Sequence, residues 1–215
     1  MTHTLRICLV RHGETAWNAQ HRLQGHTDIP LNDTGRAQAE ATAALLAPLR
    51  FDAAYTSDLS RAADTAQAIG RRTGVRVTPL VALRERHYGA FQGLTYDEAS
   101  RRHPEAYAHF KARTPDIALP DGGESLRDFA TRIASALDTL VTRHAGQQIL
   151  VVAHGGVLDI VYRIASGRPL EQARDFKIPN AALNWIRHDA AGTWAIEQWA
   201  EQGHLVDARD ELANS

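Results

Sequence analysis

The chain has 215 residues, of which 44% are hydrophobic, and its 24 Lys and Arg residues nearly balance its 25 Asp and Glu residues. A chain of this size buries a sizeable core, so we expect a single domain over residues 1–205 and a solvated tail over residues 206–215. The near-neutral charge creates no broad positive field, which argues against nucleic acid and anionic membranes as partners.

The sequence also lacks the features of a secreted or membrane-spanning protein. No window approaches the roughly 18 apolar residues that a membrane span needs, and the N-terminus has no basic segment followed by a long apolar stretch. The one cysteine, Cys8, lies inside an apolar run, so we expect a buried, inert thiol. These features predict a cytoplasmic protein.

The first part of the chain combines an apolar run with a helical pattern. Residues 5–10 are apolar and end at polar residues, which predicts a strand buried on both faces and therefore a parallel α/β sheet. The spacing of alanines and leucine that follows predicts a helix, with Asp33 or Thr34 as its N-cap and Pro48 as its stop.

A second unit of strand and helix follows. A short strand near residues 53–56 leads into a helix that we expect Ser60 to cap and Gly74 to close. Arg61 therefore falls in the first turn of that helix. Residues 75–80 are a further candidate strand.

The next segment, residues 88–123, is broken by prolines and a Pro-Asp-Gly-Gly turn, and we interpret it as a mostly helical, lid-like excursion from the sheet. The clearest helix of the chain follows, because Ser125 and Asp128 form a capping-box pattern before Gly146. Its predicted apolar face consists of Leu126, Phe129, Ile133, Leu137 and Leu140.

The last part of the chain repeats the order of strand, polar exit and helix. The sequence QQILVVAHGG predicts a strand that ends at His154, and a helical pattern continues from it. Two β-rich runs around residues 189–192 predict a terminal hairpin, whose apolar strand would favour a homodimer if exposed. The recurring order predicts the α/β class.

Unusual polar residues stand where the predicted strands end. Ligands of open α/β sheets bind beyond the carboxyl ends of the strands. In chain order, these exits carry Arg11, His12, Glu14 and Asn18, then Ser57, Ser60 and Arg61, then Glu85, and last His154, Gly155 and Gly156. Two histidines and two arginines thus gather at one edge, where helix N-termini add partial positive charge, so the place suits a phosphate.

Such a set of side chains favours phosphoryl transfer. A neutral imidazole can attack phosphorus, and we expect His12 to do so while Arg11, Arg61 and His154 stabilise the charge on the phosphoryl oxygens. Glu85 could protonate the leaving alkoxide. Burial would raise the pKa of this carboxyl and the adjacent arginines would lower it, and the sequence leaves that balance open.

Each residue also has an ordinary interpretation. His12 alone could be a hydrogen-bonded loop residue, Arg61 an ordinary first-turn arginine, and Glu85 the partner of Arg84 or Arg86 in a surface ion pair. The convergence on one sheet edge favours the functional interpretation. The 11 histidines include no metal-binding spacing and there is no pair of cysteines, so no metal site is predicted.

The ordered motifs LVRHGETAWN, LQGHTDIPLNDTGRAQA, SDLSRAADTA, LRERHYGAFQG and VVAHGG resemble the histidine phosphatase superfamily, in its phosphoglycerate-mutase-like branch, over residues 5–164. The resemblance implies a three-layer α/β/α sandwich with a largely parallel sheet and helices on both faces, and it implies no metal. It implies these roles: His12 as phosphorylated nucleophile, Glu85 as proton donor, Arg11, Arg61 and His154 as phosphate pocket, and Asn18 as an assisting phosphate ligand. Candidate substrate contacts are Gln24, Gly25, Arg86, Tyr88 and Gly155.

The family contains mutases and phosphatases, and the motifs of this chain divide between them. ERHYGAFQGL is similar to the motif of the cofactor-dependent mutases, but the lysine that usually follows is absent and the adjacent Arg101 and Arg102 fall early. The PDGGES element and the short chain resemble the broad-specificity phosphatases. Arg84, Arg101, Arg102, Lys111 and Arg113 are further candidate contacts, although we expect the last four to form a solvated helix face.

We therefore predict a phosphomonoesterase that hydrolyses small phosphorylated metabolites through phosphohistidine and requires no cofactor. The alternative is a phosphoglycerate mutase, which would require 2,3-bisphosphoglycerate. A less favoured alternative, from a different class of function, is a non-catalytic protein that binds phosphorylated ligands.

Overall fold

The structure is a computed structural model and describes residues 4–206. Apart from Val206, which is exposed, the predicted tail over residues 206–215 lies outside the described residues. Within residues 4–206 the chain forms one six-stranded sheet. Its strands are β1 (Leu5–Arg11), β2 (Ala53–Thr56), β3 (Val77–Pro79), β4 (Gln148–Ala153), β5 (Leu183–His188) and β6 (Trp194–Glu201).

The order of strands across the sheet is β3-β2-β4-β1-β5-β6. The pairs β3/β2, β2/β4 and β4/β1 are parallel, whereas β1/β5 and β5/β6 are antiparallel. The predicted parallel sheet and terminal hairpin are both confirmed. Because β1 and β4 are adjacent and parallel, their carboxyl ends lie side by side, which places Arg11 opposite Ala153.

Helices cover both faces of this sheet, which confirms the three-layer architecture. The helices among the described residues are α1 (Ala16–Ala19), α2 (Asp33–Leu46), α3 (Ser60–Thr73), α4 (Tyr96–Arg102), α5 (Pro104–Lys111), α6 (Leu126–Arg143) and α7 (Gly155–Ser166). Successive side chains of a strand point to opposite faces. Thus Ile7 and Leu9 of β1 pack with α6 and α7, whereas Cys8 and Val10 pack with α2 and α3. The thiol of Cys8 is buried and free, as predicted.

Two predicted helix caps are wrong by one residue. The N-cap of α2 is Asn32, not Asp33 or Thr34, and its side-chain oxygen accepts a hydrogen bond from the N–H of Gly35 at 2.8 Å. The side-chain amide of Asn32 donates to Glu14, so a contact with a distant segment fixes this cap.

The cap of α3 differs for a similar reason. Its N-cap is Leu59, which has no capping side chain, and Ser60 is the first helical residue. The carboxylate of Asp28 accepts hydrogen bonds from both the N–H and the hydroxyl of Ser60 and so supplies the missing acceptor from another loop. The expected closure at Gly74 is confirmed, because this residue is the left-handed C-cap of α3.

The N-terminus of α6 has half of the predicted capping box. The hydroxyl of Ser125 accepts from the N–H of Asp128 at 3.0 Å. The Asp128 carboxylate, however, accepts from the Ser125 hydroxyl instead of the Ser125 N–H. The apolar face of α6 is buried as predicted, at Leu126, Phe129, Ile133, Leu137 and Leu140.

The excursion over residues 88–123 is helical at Gly89–Phe91, α4 and α5, and it is irregular after residue 112. The interpretation as mostly helical therefore holds for its first two thirds. Tyr88, Phe91 and Leu119 pack with Leu23 into a small apolar cluster separate from the two faces of the sheet. This cluster stands beside the carboxyl end of β1, since Tyr88 and Leu23 also border the cleft described below.

The backbone of α2 packs directly on the loop after β1. A Cβ atom on Gly35 would lie 2.0 Å from the carbonyl oxygen of Glu14, and one on Gly13 would lie 2.4 Å from the carbonyl oxygen of Gly35. Neither contact leaves room for a side chain. These two glycines let the start of α2 hold the residues that follow β1.

We predict that Gly35→Ala lowers the free energy of unfolding by about 1–3 kcal/mol, because a methyl group would push the two backbones apart. Alanine normally stabilises a helix interior relative to glycine by about 1 kcal/mol, so the sign of the effect is diagnostic. Urea denaturation measures it. Ala37→Ser, on an exposed position of α2, is the control, and a Gly35→Ala protein as stable as wild type would contradict the prediction.

Candidate active site

His12 follows the last residue of β1 and is held by backbone contacts on both sides. Its N–H donates to the carbonyl of Ala153 at 2.9 Å, and its carbonyl accepts from the side chain of Asn180 at 2.9 Å. The imidazole Nδ1 lies 2.7 Å from the carbonyl of Gly13. Because a carbonyl only accepts, Nδ1 carries the proton and Nε2 carries the free electron pair. His12 is thus oriented as a nucleophile.

His154 follows β4 in the same way and is the N-cap of α7. Its ring meets that of His12 edge-on, with 5.2 Å between centroids, and it is fully buried. Burial, assisted by the charge of Arg61, holds the pKa of both imidazoles well below the ordinary value, so both are neutral near pH 7. Neither ring nitrogen of His154 has a hydrogen-bonding partner in residues 4–206, an arrangement that a phosphate oxygen would relieve.

Two buried guanidinium groups flank the histidines. Arg11, the last residue of β1, donates to the carbonyl of Ile178 at 2.7 Å. Arg61 donates to the carbonyls of Thr27 and Gly25 at 2.9 and 2.7 Å. Burial lowers the pKa of Arg61 to about 10, so its guanidinium stays charged at neutral pH.

Glu85 faces this cluster from the loop after the turn at Val81–Leu83. Its carboxylate accepts hydrogen bonds from the N–H of Arg86 at 2.8 Å and the N–H of Gly156 at 2.9 Å. Burial raises its pKa above the ordinary value despite these bonds and the nearby arginines, which settles the balance that the sequence left open. The alternative of a surface ion pair is wrong, because Glu85 is buried and Arg84 pairs with Asp58 instead.

A cleft at the carboxyl end of β1 joins most of the predicted site residues. Those that line it are Arg11, His12, Asn18, Gln24, Arg61, Glu85 and Tyr88. The cleft is also lined by residues that the sequence interpretation missed, which are His21, Arg22, Leu23 and Tyr96. His21 and Arg22 directly follow α1, so their closeness to the first motif was an available signal. Tyr96 comes from α4, and only the tertiary fold brings it here.

The other predicted contacts lie around the cleft. Gly25 presents its carbonyl to Arg61, and Gly155 begins α7 beside His154. Asn18 completes the capping box of α1, whose N-cap is Thr15, because its side-chain oxygen accepts from the N–H of Thr15 at 2.9 Å, and it also borders the cleft. Arg86 lies outside this cleft and donates to the carbonyl of Glu124.

The expected solvated helix face is wrong for one of its four members. Arg101, Arg102 and Lys111 are exposed as predicted. Arg113 is buried, and it donates to the carboxylate of Asp159 at 2.6 Å. The physical reason is local, because α5 ends at Lys111 and the backbone of Arg113 turns with a φ of 53°.

Arg132 of α6 braces the loop that carries Glu85. Its guanidinium donates to the backbone carbonyls of Ala82, Arg84 and Glu85 and binds both carboxylate oxygens of Glu124 at 2.8 Å. Glu124 in turn accepts from the N–H of His87 at 2.8 Å. The sequence interpretation missed Arg132, whose position on α6 gave no signal of this contact.

The chain matches the model of the histidine phosphatase superfamily (branch 1) over residues 7–202. It therefore belongs to that superfamily, as the motifs predicted. It is 43% identical over 205 residues to phosphoglycerate mutase-like protein 4 of Arabidopsis thaliana, a match that covers 94% of this chain and 87% of that protein. It is 40% identical over 201 residues to the metal-independent phosphoserine phosphatase of Arabidopsis thaliana, covering 93% and 82%.

Comparison with solved structures supports the same family assignment. A mycobacterial glucosyl-3-phosphoglycerate phosphatase in complex with VO3 superposes with a TM-score of 0.81 and 31% identity, over 92% of this chain and 99% of that one. The relatives of this chain thus include two proteins named as phosphatases and one named as mutase-like. Over residues 4–206, no three His, Cys, Asp or Glu side chains converge as a metal site requires. No helix in that range is long and apolar enough to cross a membrane.

We predict that Glu85→Gln removes the alkaline limb of the pH profile. The raised pKa keeps this carboxyl protonated to a higher pH than an exposed glutamic acid, so kcat/KM of the wild type should fall as pH rises through that pKa. The amide cannot donate the proton, and we expect kcat to fall about 10²–10⁴-fold for alkyl phosphates. The loss should be much smaller for p-nitrophenyl phosphate, whose leaving group needs little protonation. Equal losses for both substrates would contradict this role.

We predict that Arg132→Gln lowers kcat about 10–100-fold by loosening the Glu85 loop, since small displacements of a catalytic group have effects of this size. A change in protein stability alone would leave the alkaline limb of the pH profile in place, whereas loss of positioning should shift it. Arg127→Gln is the matched control, because Arg127 lies on the same helix in an exposed ion pair with Asp116. An unshifted limb in Arg132→Gln would refute the positioning role.

Proposed function

We propose that this protein hydrolyses small phosphorylated metabolites in two steps through a phosphohistidine on His12. In the first step Nε2 of His12 bonds to phosphorus, the ester P–O bond breaks, and Glu85 gives its proton to the departing alkoxide. In the second step a water molecule attacks phosphorus, Glu85 takes a proton from it, and the P–N bond breaks to release phosphate. The observation that carries the proposal is the neutral imidazole of His12, whose Nε2 carries the electron pair, between two guanidinium groups and a buried carboxyl whose pKa is raised.

The same geometry supports the remaining assignments. Arg11 and Arg61 would bind the phosphoryl oxygens, because guanidinium groups form bidentate hydrogen bonds with phosphate. His154, whose ring nitrogens have no hydrogen-bonding partner within residues 4–206, would donate a further hydrogen bond. Asn18 borders the cleft and would contact the same group. Preorganised charge of this kind is the main source of catalysis in phosphoryl transfer.

We further propose that the reaction requires neither a metal nor a cofactor. The positive charge that a metal ion would supply elsewhere can come from Arg11 and Arg61, which are buried and charged. A relative of 40% identity is named a metal-independent phosphatase, which supports this proposal.

The mutase alternative has less support. It is favoured by the name of one relative, a phosphoglycerate mutase-like protein, and it would require 2,3-bisphosphoglycerate. However, Arg101 and Arg102, the adjacent arginines weighed as mutase contacts, are exposed, and neither borders the cleft. A non-catalytic binder is disfavoured because every group that hydrolysis needs is present. The cytoplasmic location, the single domain, the lid and the homodimer stay predictions.

A phosphate-release screen tests the proposal. The panel would contain p-nitrophenyl phosphate, phosphoserine, sugar phosphates and 3-phosphoglycerate, each with and without EDTA. We expect turnover of several members, no effect of EDTA, and a loss of at least about 10³-fold in His12→Ala, which lacks the nucleophile. His188→Ala is the matched control, because His188 lies opposite Leu5 at the other end of β1.

Two results would contradict the proposal. Turnover by His12→Ala at the wild-type rate would exclude the phosphohistidine step, and inactivation by EDTA would exclude metal independence. Conversion of 3-phosphoglycerate to 2-phosphoglycerate faster than phosphate release, with 2,3-bisphosphoglycerate present, would favour the mutase alternative.

A further inference from the structure

The loop that carries Asp28 and the first turn of α3 are joined by hydrogen bonds that run in both directions. The carboxylate oxygen Oδ1 of Asp28 accepts from the N–H and from the hydroxyl of Ser60, both at 2.8 Å. Arg61, the next residue of α3, donates to the carbonyls of Thr27 and Gly25 at 2.9 and 2.7 Å. The mechanism proposed above uses Arg61 and gives no role to Asp28.

Asp28 supplies the cap that the N-terminus of α3 otherwise lacks. Leu59, the N-cap residue, has no side chain that accepts a hydrogen bond. The first N–H groups of a helix have no acceptor within the helix, and a carboxylate there forms charge-assisted hydrogen bonds and interacts favourably with the helix dipole. Asp28 therefore fixes the start of α3 from a different segment of the chain, and Arg61 lies in the turn that it fixes.

The guanidinium group of Arg61 is oriented by the same loop. Its Nη1 and Nη2 atoms bind the carbonyls of Thr27 and Gly25, whereas its Nε is buried and meets no acceptor within residues 4–206. Arg61 also lines the active-site cleft, so a phosphoryl oxygen bound there would supply an acceptor for this guanidinium. The position of the guanidinium thus depends on how the loop and α3 are placed relative to each other.

The loop that holds Arg61 is itself fixed to other parts of the site. The N–H of His26 donates to Oε1 of Gln92 at 2.7 Å, and its imidazole Nε2 donates to the carbonyl of Glu85 at 2.9 Å. These contacts hold in place the two carbonyl groups that bind Arg61. A shift of the first turn of α3 would therefore distort the hydrogen bonds of Arg61, because the loop could not move with the helix.

We propose that Asp28 is a positioning residue, which sets the guanidinium of Arg61 for phosphate binding through its two hydrogen bonds to Ser60. This inference rests on the proposed function, in which Arg61 binds the phosphoryl group. Asp28 is exposed and does not line the active-site cleft, so it acts through Arg61 and not by contact with the substrate.

The dissociation constant of orthovanadate, an analogue of phosphate, tests this inference by isothermal titration calorimetry without any need for turnover. Asp28→Ala removes the cap and should raise this constant about 5–30-fold, because small displacements of a positioned group have effects of this size. Asp28→Asn should stay within about threefold of wild type, since both hydrogen bonds use Oδ1 and an amide oxygen also accepts them. The values of kcat/KM for p-nitrophenyl phosphate should change in parallel.

Further variants show whether the effect passes through Arg61. In an Arg61→Gln background, Asp28→Ala should change the orthovanadate constant less than about twofold, because two residues that act as one unit are not additive. Asp64→Ala is the matched control, since it removes a carboxylate from an exposed position of α3, and it should bind orthovanadate like wild type. If urea denaturation shows that Asp28→Ala does not fold, Ser60→Ala takes its place. It removes the hydroxyl donor and should raise the constant about 2–5-fold.

The outcomes separate this inference from the proposed function. Wild-type affinity for orthovanadate in Asp28→Ala overturns the inference and leaves the phosphatase proposal intact. An equal loss of affinity in Asp28→Asn, or in the Arg61→Gln background, also overturns it, because the effect would then come from charge alone or from a group other than Arg61. A wild type that releases phosphate from no ester overturns the proposed function, while the orthovanadate affinities still decide the role of Asp28. A wild type that binds no orthovanadate overturns both.

Discussion

The burial of positive charge at the carboxyl ends of β1 and β4 is the constraint on which this active site depends. Arg11 and Arg61 are removed from water beside the neutral imidazoles of His12 and His154. Glu85 offsets them only partly, because its own burial favours the protonated form. Burying these charges costs folding free energy, which the apolar packing on the two faces of the sheet must offset. A phosphate dianion bound as proposed would offset the same charges, so the free-energy cost of burying them would be recovered as affinity for the ligand.

Backbone contacts, more than side-chain packing, fix the positions of His12 and Glu85. The close approach of Gly13 and Gly35 fixes the loop after β1, and the hydrogen bonds of the His12 backbone to Ala153 and Asn180 fix its two ends. On the other side of the cleft, the hydrogen bonds of the Arg132 guanidinium to backbone carbonyls fix the loop that carries Glu85. The proposed nucleophile, His12, and the proposed proton donor, Glu85, are therefore positioned before a substrate binds, which would lower the reorganisation that the proposed reaction requires.

Features that depend on short stretches of sequence could be predicted, whereas features that depend on tertiary contacts could not. The buried strand β1 and its exit on Arg11 and His12 follow from a continuous apolar run, and parallel strands bring such exits together. By contrast, Asn32 caps α2 because of its contact with Glu14. Arg113 is buried because its backbone turns after α5 toward Asp159. The spacing of residues in the sequence does not predict the contact of Asn32 with Glu14 or that of Arg113 with Asp159.

The measurement that tests the central claim most directly is rapid quenching of the protein with a ³²P-labelled phosphomonoester during turnover. The account predicts a covalent label that is stable in alkali and lost in acid, as expected for phosphohistidine, and mass spectrometry should place it on His12. Glu85→Gln should slow its formation from an alkyl phosphate and leave its position unchanged. Steady release of phosphate with no label on the protein, or a label on another residue, would contradict the account.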